Sequence, residues 1–137
     1  MSDVYTGGCA CGAIRYTISG EPMFMNHCRC RDCQYKSGTG HGSYLTFPSK
    51  GVKLTGKATQ WNITADNGKT KTRSFCPTCG SPVFLTFPAN PDIFVVHAAT
   101  LDDPGRFKPQ VVIYEARRHA WDLIDPALPT FERMPPG

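Results

Sequence analysis

Seven cysteines in three clusters constrain this chain more than any other feature of its 137 residues. Cys9 and Cys11 stand at Cys-x-Cys spacing, and Cys76 and Cys79 at Cys-x-x-Cys spacing. Between them lies Cys28-Arg29-Cys30-Arg31-Asp32-Cys33, where one short turn can aim three thiols at a common point. An odd count argues against full disulfide pairing, and these spacings in an intracellular chain are those of metal sites. Zinc holds four ligands in a tetrahedron: a structural site takes all four from the protein, whereas a catalytic site leaves one position open.

The two pairs read as copies of one device. Gly8-Cys9-Ala10-Cys11-Gly12 and Phe75-Cys76-Pro77-Thr78-Cys79-Gly80 each place Gly directly after the second cysteine and a strand beyond it. Gly admits positive φ, which lets amide N–H groups turn toward the sulfurs. Cys9, Cys11, Cys76 and Cys79 are therefore expected to close a structural zinc site. Cys28, Cys30 and Cys33 are expected to hold a second zinc with an open position. Two zinc ions per chain follow, the second liable to be lost or its ligands oxidised during purification. A thioredoxin-like reading of Cys30-Arg31-Asp32-Cys33 requires a βαβ context that the sequence lacks.

The rest of the chain reads as β-structure. The 13 glycines and 12 prolines punctuate many short segments, and 40% hydrophobic content fits one folded domain over 1–137. Ile14, Tyr16 and Ile18 alternate on one face of a strand, and Met23-Phe24-Met25 leads a second strand into the three-cysteine cluster. Gln34 to Ser37 forms one helical turn ended by Gly38. His41–Phe47, Val52–Thr55, Asp92–Ala98, Gln110–Glu115 and Trp121–Ile124 read as further strands. Asn67-Gly68 between alternating segments marks a hairpin over 58–75 that delivers Cys76 and Cys79 to the first pair. About eight to ten strands result, an all-β fold. From Asp125 the Pro-rich tail is expected to lie extended on the surface with a frayed end.

A net charge of +4 with dispersed Lys and Arg gives no dense basic stripe, so nucleic-acid binding is not expected. No apolar run reaches membrane-spanning length and Met1 to Tyr5 carries no export signal, so a cytoplasmic protein is expected. Arg29, Arg31 and Lys36 flank the central cluster and are the candidates for binding substrate carboxylates. His27 adjoins Cys28 but faces the other side of a strand. His41 could fold back toward the cluster, His97 reads as a core residue and His119 as a surface one.

Gly-Gly-Cys-x-Cys-Gly, then Cys-x-Cys-x-x-Cys, then Phe-Cys-x-x-Cys-Gly resembles the glutathione-dependent formaldehyde-activating enzyme family. Thr100-Leu101-Asp102-Asp103-Pro104 and Trp121 ahead of Asp125-Pro126-Ala127-Leu128-Pro129 extend the likeness over roughly residues 5–131. The resemblance implies a β-tent, short antiparallel strands in small sheets clamped by a four-cysteine zinc site. It also implies a carbon–sulfur lyase that condenses formaldehyde with glutathione to S-hydroxymethylglutathione. Many relatives carry His where this chain has Arg29. The partners expected are a small thiol such as glutathione and a small aldehyde; the alternative is a non-catalytic zinc module of the same fold.

Overall fold

The computed structural model describes residues 4–135. In chain order its strands are β1 (Val4–Gly8), β2 (Arg15–Ser19), β3 (Phe24–Cys28), β4 (Gly42–Pro48), β5 (Val52–Thr55) and β6 (Thr59–Thr64). After them come β7 (Thr70–Phe75), β8 (Pro82–Thr86), β9 (Ile93–His97) and β10 (Val111–Ile113). The α-helix α1 (Arg31–Ser37) follows β3 directly. The strands make a three-stranded sheet, β1-β2-β5, and a seven-stranded sheet, β10-β3-β4-β9-β8-β7-β6. The fold is mainly β, as the sequence predicts.

The period-2 pattern of the strands builds two cores. Tyr16 and Ile18 of β2, with the adjoining Ile14, face Leu45 and Phe47 of β4, Phe84 of β8, and Phe94 and Val96 of β9, between the two sheets. The opposite face of the large sheet carries Tyr44, Leu85 and Val95, which cluster with Cys28, Cys33 and Ile113. Alternation along β4 thus sends Leu45 and Phe47 into the closed core and Tyr44 toward the central cysteines. That second face carries the chemistry.

Three expectations need correction. β10 lies parallel to β3, pairing Val111 with Asn26 and Ile113 with Cys28, in a sheet otherwise antiparallel. The return from β9 brings Gln110 back to Met25, whose carbonyl oxygen accepts from the Gln110 amide at 2.9 Å, so β10 sets out alongside the start of β3. β10 stops at Ile113 because Tyr114 turns left-handed, with φ 59°. Residues 121–124 are not a strand: Trp121 and Leu123 both point to solvent while Asp122 is buried. The tail is bound to the fold by backbone hydrogen bonds as far as Arg133. The Val112 amide donates to Pro129 O and the Phe131 amide to Val112 O, both at 2.9 Å, binding the tail along β10. Pro136 and Gly137 lie outside the described residues.

Candidate metal centres

The turn between β1 and β2 and the turn between β7 and β8 are built alike. The Ile14 amide donates to Cys9 Sγ at 3.2 Å, and the Thr78 and Cys79 amides donate to Cys76 Sγ at 3.3 and 3.4 Å. Gly12 and Gly80 take φ of 83° and 79°, the left-handed conformation that closes each turn. The two turns meet, with Cys9 Sγ 3.7 Å from Cys11 Sγ and Cys11 Sγ 3.7 Å from Cys76 Sγ. A tetrahedral zinc with sulfur at about 2.3 Å requires sulfur–sulfur edges of about 3.8 Å, so the four thiols fit that ion. Ser81 finishes the corner: its hydroxyl accepts from the Ala10 amide at 3.1 Å and lies 3.2 Å from Cys79 Sγ. These Ser81 contacts push the exposed Cys79 thiol down to about 5, which favours the ligating thiolate.

The central cluster is assembled by the end of β3 and the start of α1. Cys28 closes β3, and Cys30 caps the helix, its sulfur accepting from the Cys33 amide at 3.4 Å. Gly38, at φ 78°, ends α1 as the sequence predicts, although the helix begins earlier than Gln34. The sulfurs of Cys28, Cys30 and Cys33 lie within 4.8 Å of one another, near enough to hold one metal ion. Cys28 and Cys33 are 5% and 2% exposed, so the cluster faces inward and not toward bulk water.

Two basic residues of β7 reach this cluster. Arg73 Nη2 donates to Cys33 Sγ and to Tyr44 Oη, both at 3.4 Å, and Arg73 Nε donates to Asp32 Oδ2 at 2.7 Å. Lys71 Nζ lies 3.0 Å from the same carboxylate oxygen. Two cations against one carboxylate leave one positive charge beside the sulfurs. That matches the single net negative charge of a divalent ion held by three thiolates. Hydrogen bonds from Cys28 and Cys30, helped by Lys71 and Arg73, hold the Cys33 thiol well below the ordinary range. Burial raises the Tyr44 phenol well above its usual value, so it keeps its proton. Tyr44 extends to this point because Gly42, two residues earlier on β4, has no side chain; a Cβ there would meet Tyr44 Oη.

The sulfurs open into a cavity of about 510 Å³. Its lining comes from β3, β4, β8, β9 and β10, together with the β6–β7 hairpin tip and Met134. Arg133 Nη1 bonds Asp66 Oδ2 at 2.7 Å, tying the tail to that hairpin.

None of the three basic residues singled out by sequence lines this cavity. Arg29 is buried on the other side of the chain, with Nε 3.4 Å from Glu115 Oε1 and 4.0 Å from Asp122 Oδ2. Arg31 lies over the Tyr35 ring at 4.7 Å, and Lys36 lies 5.8 Å from the Trp61 ring. The helix buries Cys33 and Gln34, and so carries Arg31 and Lys36 away from the sulfurs. His27 also faces away from Cys28, with Nδ1 2.8 Å from Ser43 Oγ. His41 does not fold back: its Nδ1 lies 2.8 Å from Asp122 Oδ2 and its ring abuts His27. Burial pushes the His97 imidazole down to about 4, in contact with the Tyr44 ring. His119 is only half-buried, stacked on Trp121 and 2.9 Å from Gln34 Oε1. Sequence reasoning missed Lys71, Arg73 and Tyr44. The i, i+2 spacing of Lys71 and Arg73 places them on one face of a strand, but not which cluster that face meets.

The model of the glutathione-dependent formaldehyde-activating enzyme family matches residues 4–117, and the chain belongs to that family. A crystal structure of a Rhodobacter sphaeroides protein, a structural-genomics target, shares the fold at a TM-score of 0.58. The two are 17% identical, and the match covers 92% of this chain and 98% of that one.

Proposed function

We propose that this protein is a zinc-dependent carbon–sulfur lyase that adds a thiol to formaldehyde or another small carbonyl. The observation carrying the proposal is the convergence of three sulfurs in the lining of a cavity of about 510 Å³. A binding module with a vestigial second site needs no such cavity beside its metal. Family membership supports the reaction class, with glutathione and formaldehyde the substrates its name gives. On this reading Cys9, Cys11, Cys76 and Cys79 hold a structural zinc, and Cys28, Cys30 and Cys33 hold the second.

The second zinc would hold the substrate thiol as a thiolate at neutral pH. Lys71 and Arg73 offset the charge that three thiolates place in a largely buried site, and Asp32 fixes both side chains. When the substrate sulfur attacks the carbonyl carbon, a C–S bond forms and the carbonyl π pair moves to oxygen. That oxygen takes a proton and the product is an S-hydroxyalkyl thioether; no oxidant or reductant enters. Tyr44 Oη, kept protonated by burial and oriented by Arg73, is the group we assign as proton donor. The phenolate left behind regains, through water, the proton the thiol gave up on binding, so protons balance, and the reverse reaction runs the same transfers backwards. Zinc per chain, measured by elemental analysis on reduced protein beside Cys30→Ser, tests the reading. About two falling to about one supports it, whereas about one in both removes the catalytic centre.

A further inference from the structure

The walls of the cavity bear on which thiol it admits. They include the apolar Phe24, Leu85, Phe87, Ile93, Val95 and Ile113, and the polar residues among them, such as Asn26, Thr46 and Asn90, are uncharged. Among the described residues the charged ones lining it are Lys71 and Asp66, and each already has an ion-pair partner. Lys71 is bound to Asp32 at 3.0 Å, and Asp66 to Arg133 at 2.7 Å. Arg29, Arg31 and Lys36 face elsewhere. Glutathione carries two carboxylates and an ammonium group, and each would lose hydration here without a free partner of opposite charge. Burying an unpaired charge costs several kcal/mol even after relaxation. A volume of about 510 Å³ also exceeds what a one-carbon aldehyde fills, and lies within the range of pockets that enclose a drug-sized apolar body.

We infer that the thiol served by the Cys28–Cys30–Cys33 centre carries an uncharged apolar body, an arylalkyl or branched alkyl group, and is not a charged peptide. The inference rests on the proposed function, since it requires an open metal position for the thiol. The apolar body packs between Leu85, Val95 and Ile113, and this packing directs the sulfur toward the cysteine cluster. The wall thereby selects by desolvation: charged thiols are disfavoured because no unpaired charge inside compensates for their lost water.

Cobalt(II)-reconstituted protein provides the test, because a thiolate entering the open position changes the sulfur-to-cobalt absorption while the closed cluster contributes a constant background. Benzyl mercaptan and glutathione are titrated in parallel at neutral pH. The expected result is half-saturation by benzyl mercaptan at a concentration at least about tenfold lower, the ratio for 1.4 kcal/mol of selectivity. Ile93→Lys, at a partly exposed wall position, is expected to weaken benzyl mercaptan and strengthen glutathione, shrinking that ratio. Glutathione binding as tightly as benzyl mercaptan, or more tightly, overturns the inference and leaves the open-metal reading standing. If neither thiol alters the absorption of protein loaded at both clusters, the open-metal reading fails and the inference fails with it.

Discussion

The two cysteine clusters differ in what surrounds the sulfur. Cys11 and Cys79 are exposed at the molecule's edge, while Cys28 and Cys33 are buried. Exposure alone would mark the first cluster as reactive. The surroundings reverse that order. Around the four-cysteine cluster the N–H donors come from the backbone of two tight turns, and the four thiols are the number of ligands a tetrahedral ion takes. Around the three-cysteine cluster a charged side chain, Arg73, donates to sulfur, and a cavity occupies the remaining side. The clusters also differ in what they join. The first connects the β1–β2 turn of the small sheet to the β7–β8 turn of the large one. The second lies within the large sheet and α1. One fastens the fold, and the other equips a cavity.

The largest effect that could break this comparison is on folding. Binding of a structural zinc contributes on the order of 10 kcal/mol, comparable to the whole stability of a domain of this size. Cys76→Ser is therefore expected to give unfolded or insoluble protein. Cys30→Ser should keep a cooperative melt and lose only the second metal. Thermal melts with metal analysis on both variants check this, and equal damage from the two would end the division of labour.

The next effect concerns the charge balance at the inner cluster. Arg73→Met removes a guanidinium that is 4% exposed and leaves Asp32 facing Lys71 alone. Asp32 keeps Lys71 as its partner, so the cost is that of lost hydrogen bonds to charged groups, about 2 kcal/mol, or on the order of 5–10 °C in melting temperature. Affinity of the second metal should fall by about ten- to a hundredfold, as it does when groups supporting the ligands are lost. Metal at the four-cysteine cluster should be unchanged. Competition with a chromophoric chelator measures both, and equal weakening of the two sites would mean that Arg73 acts only through global stability.

Tyr44→Phe tests the chemistry with less disturbance. Metal content should be retained, while the rate of thiol addition to formaldehyde falls about a hundredfold, the scale of losing a positioned proton donor. NMR observation of formaldehyde consumption, with metal analysis on the same sample, separates the two. An unchanged rate would assign proton transfer to water.

Much of this contrast is legible in the chain itself. The partition of seven cysteines, the glycines after Cys11 and Cys79, and the Asn67-Gly68 hairpin all act through local geometry that spacing records. The surroundings of the inner cluster are not local. Lys71 and Arg73 reach Asp32 and Cys33 across about 40 residues, a contact set by strand order in the large sheet. Proximity in sequence favours Arg29, yet the chain turns at Cys28 and buries it beside Glu115 and Asp122. The strand expected at 121–124 fails for a related reason. Alternating Trp121 and Leu123 look like one buried face, but the buried residue is Asp122, drawn in by His41 and Arg29.

The smallest effect asks how much of the junction between the sheets depends on metal. Tyr16 of β2 reaches out of the small sheet, its hydroxyl 2.7 Å from Thr100 Oγ1. Gly7 leaves room for it, since a Cβ there would meet both Tyr16 Oη and Thr100 O. Tyr16→Phe deletes one neutral hydrogen bond, and the Thr100 hydroxyl still donates to His97 O at 2.7 Å, so the loss at neutral pH should be about 1 kcal/mol. Alkaline pH should magnify the difference in a defined direction. Burial pushes the Tyr16 phenol up to about 12, so between about pH 10 and pH 12 the unfolded chain has released a proton that the folded chain retains. The unfolded state then binds fewer protons, and stability falls as pH rises through that window. Denaturant unfolding across that range should show a shallower decline for Tyr16→Phe than for the native chain. Parallel declines would mean that the buried phenol contributes nothing to the alkaline limit.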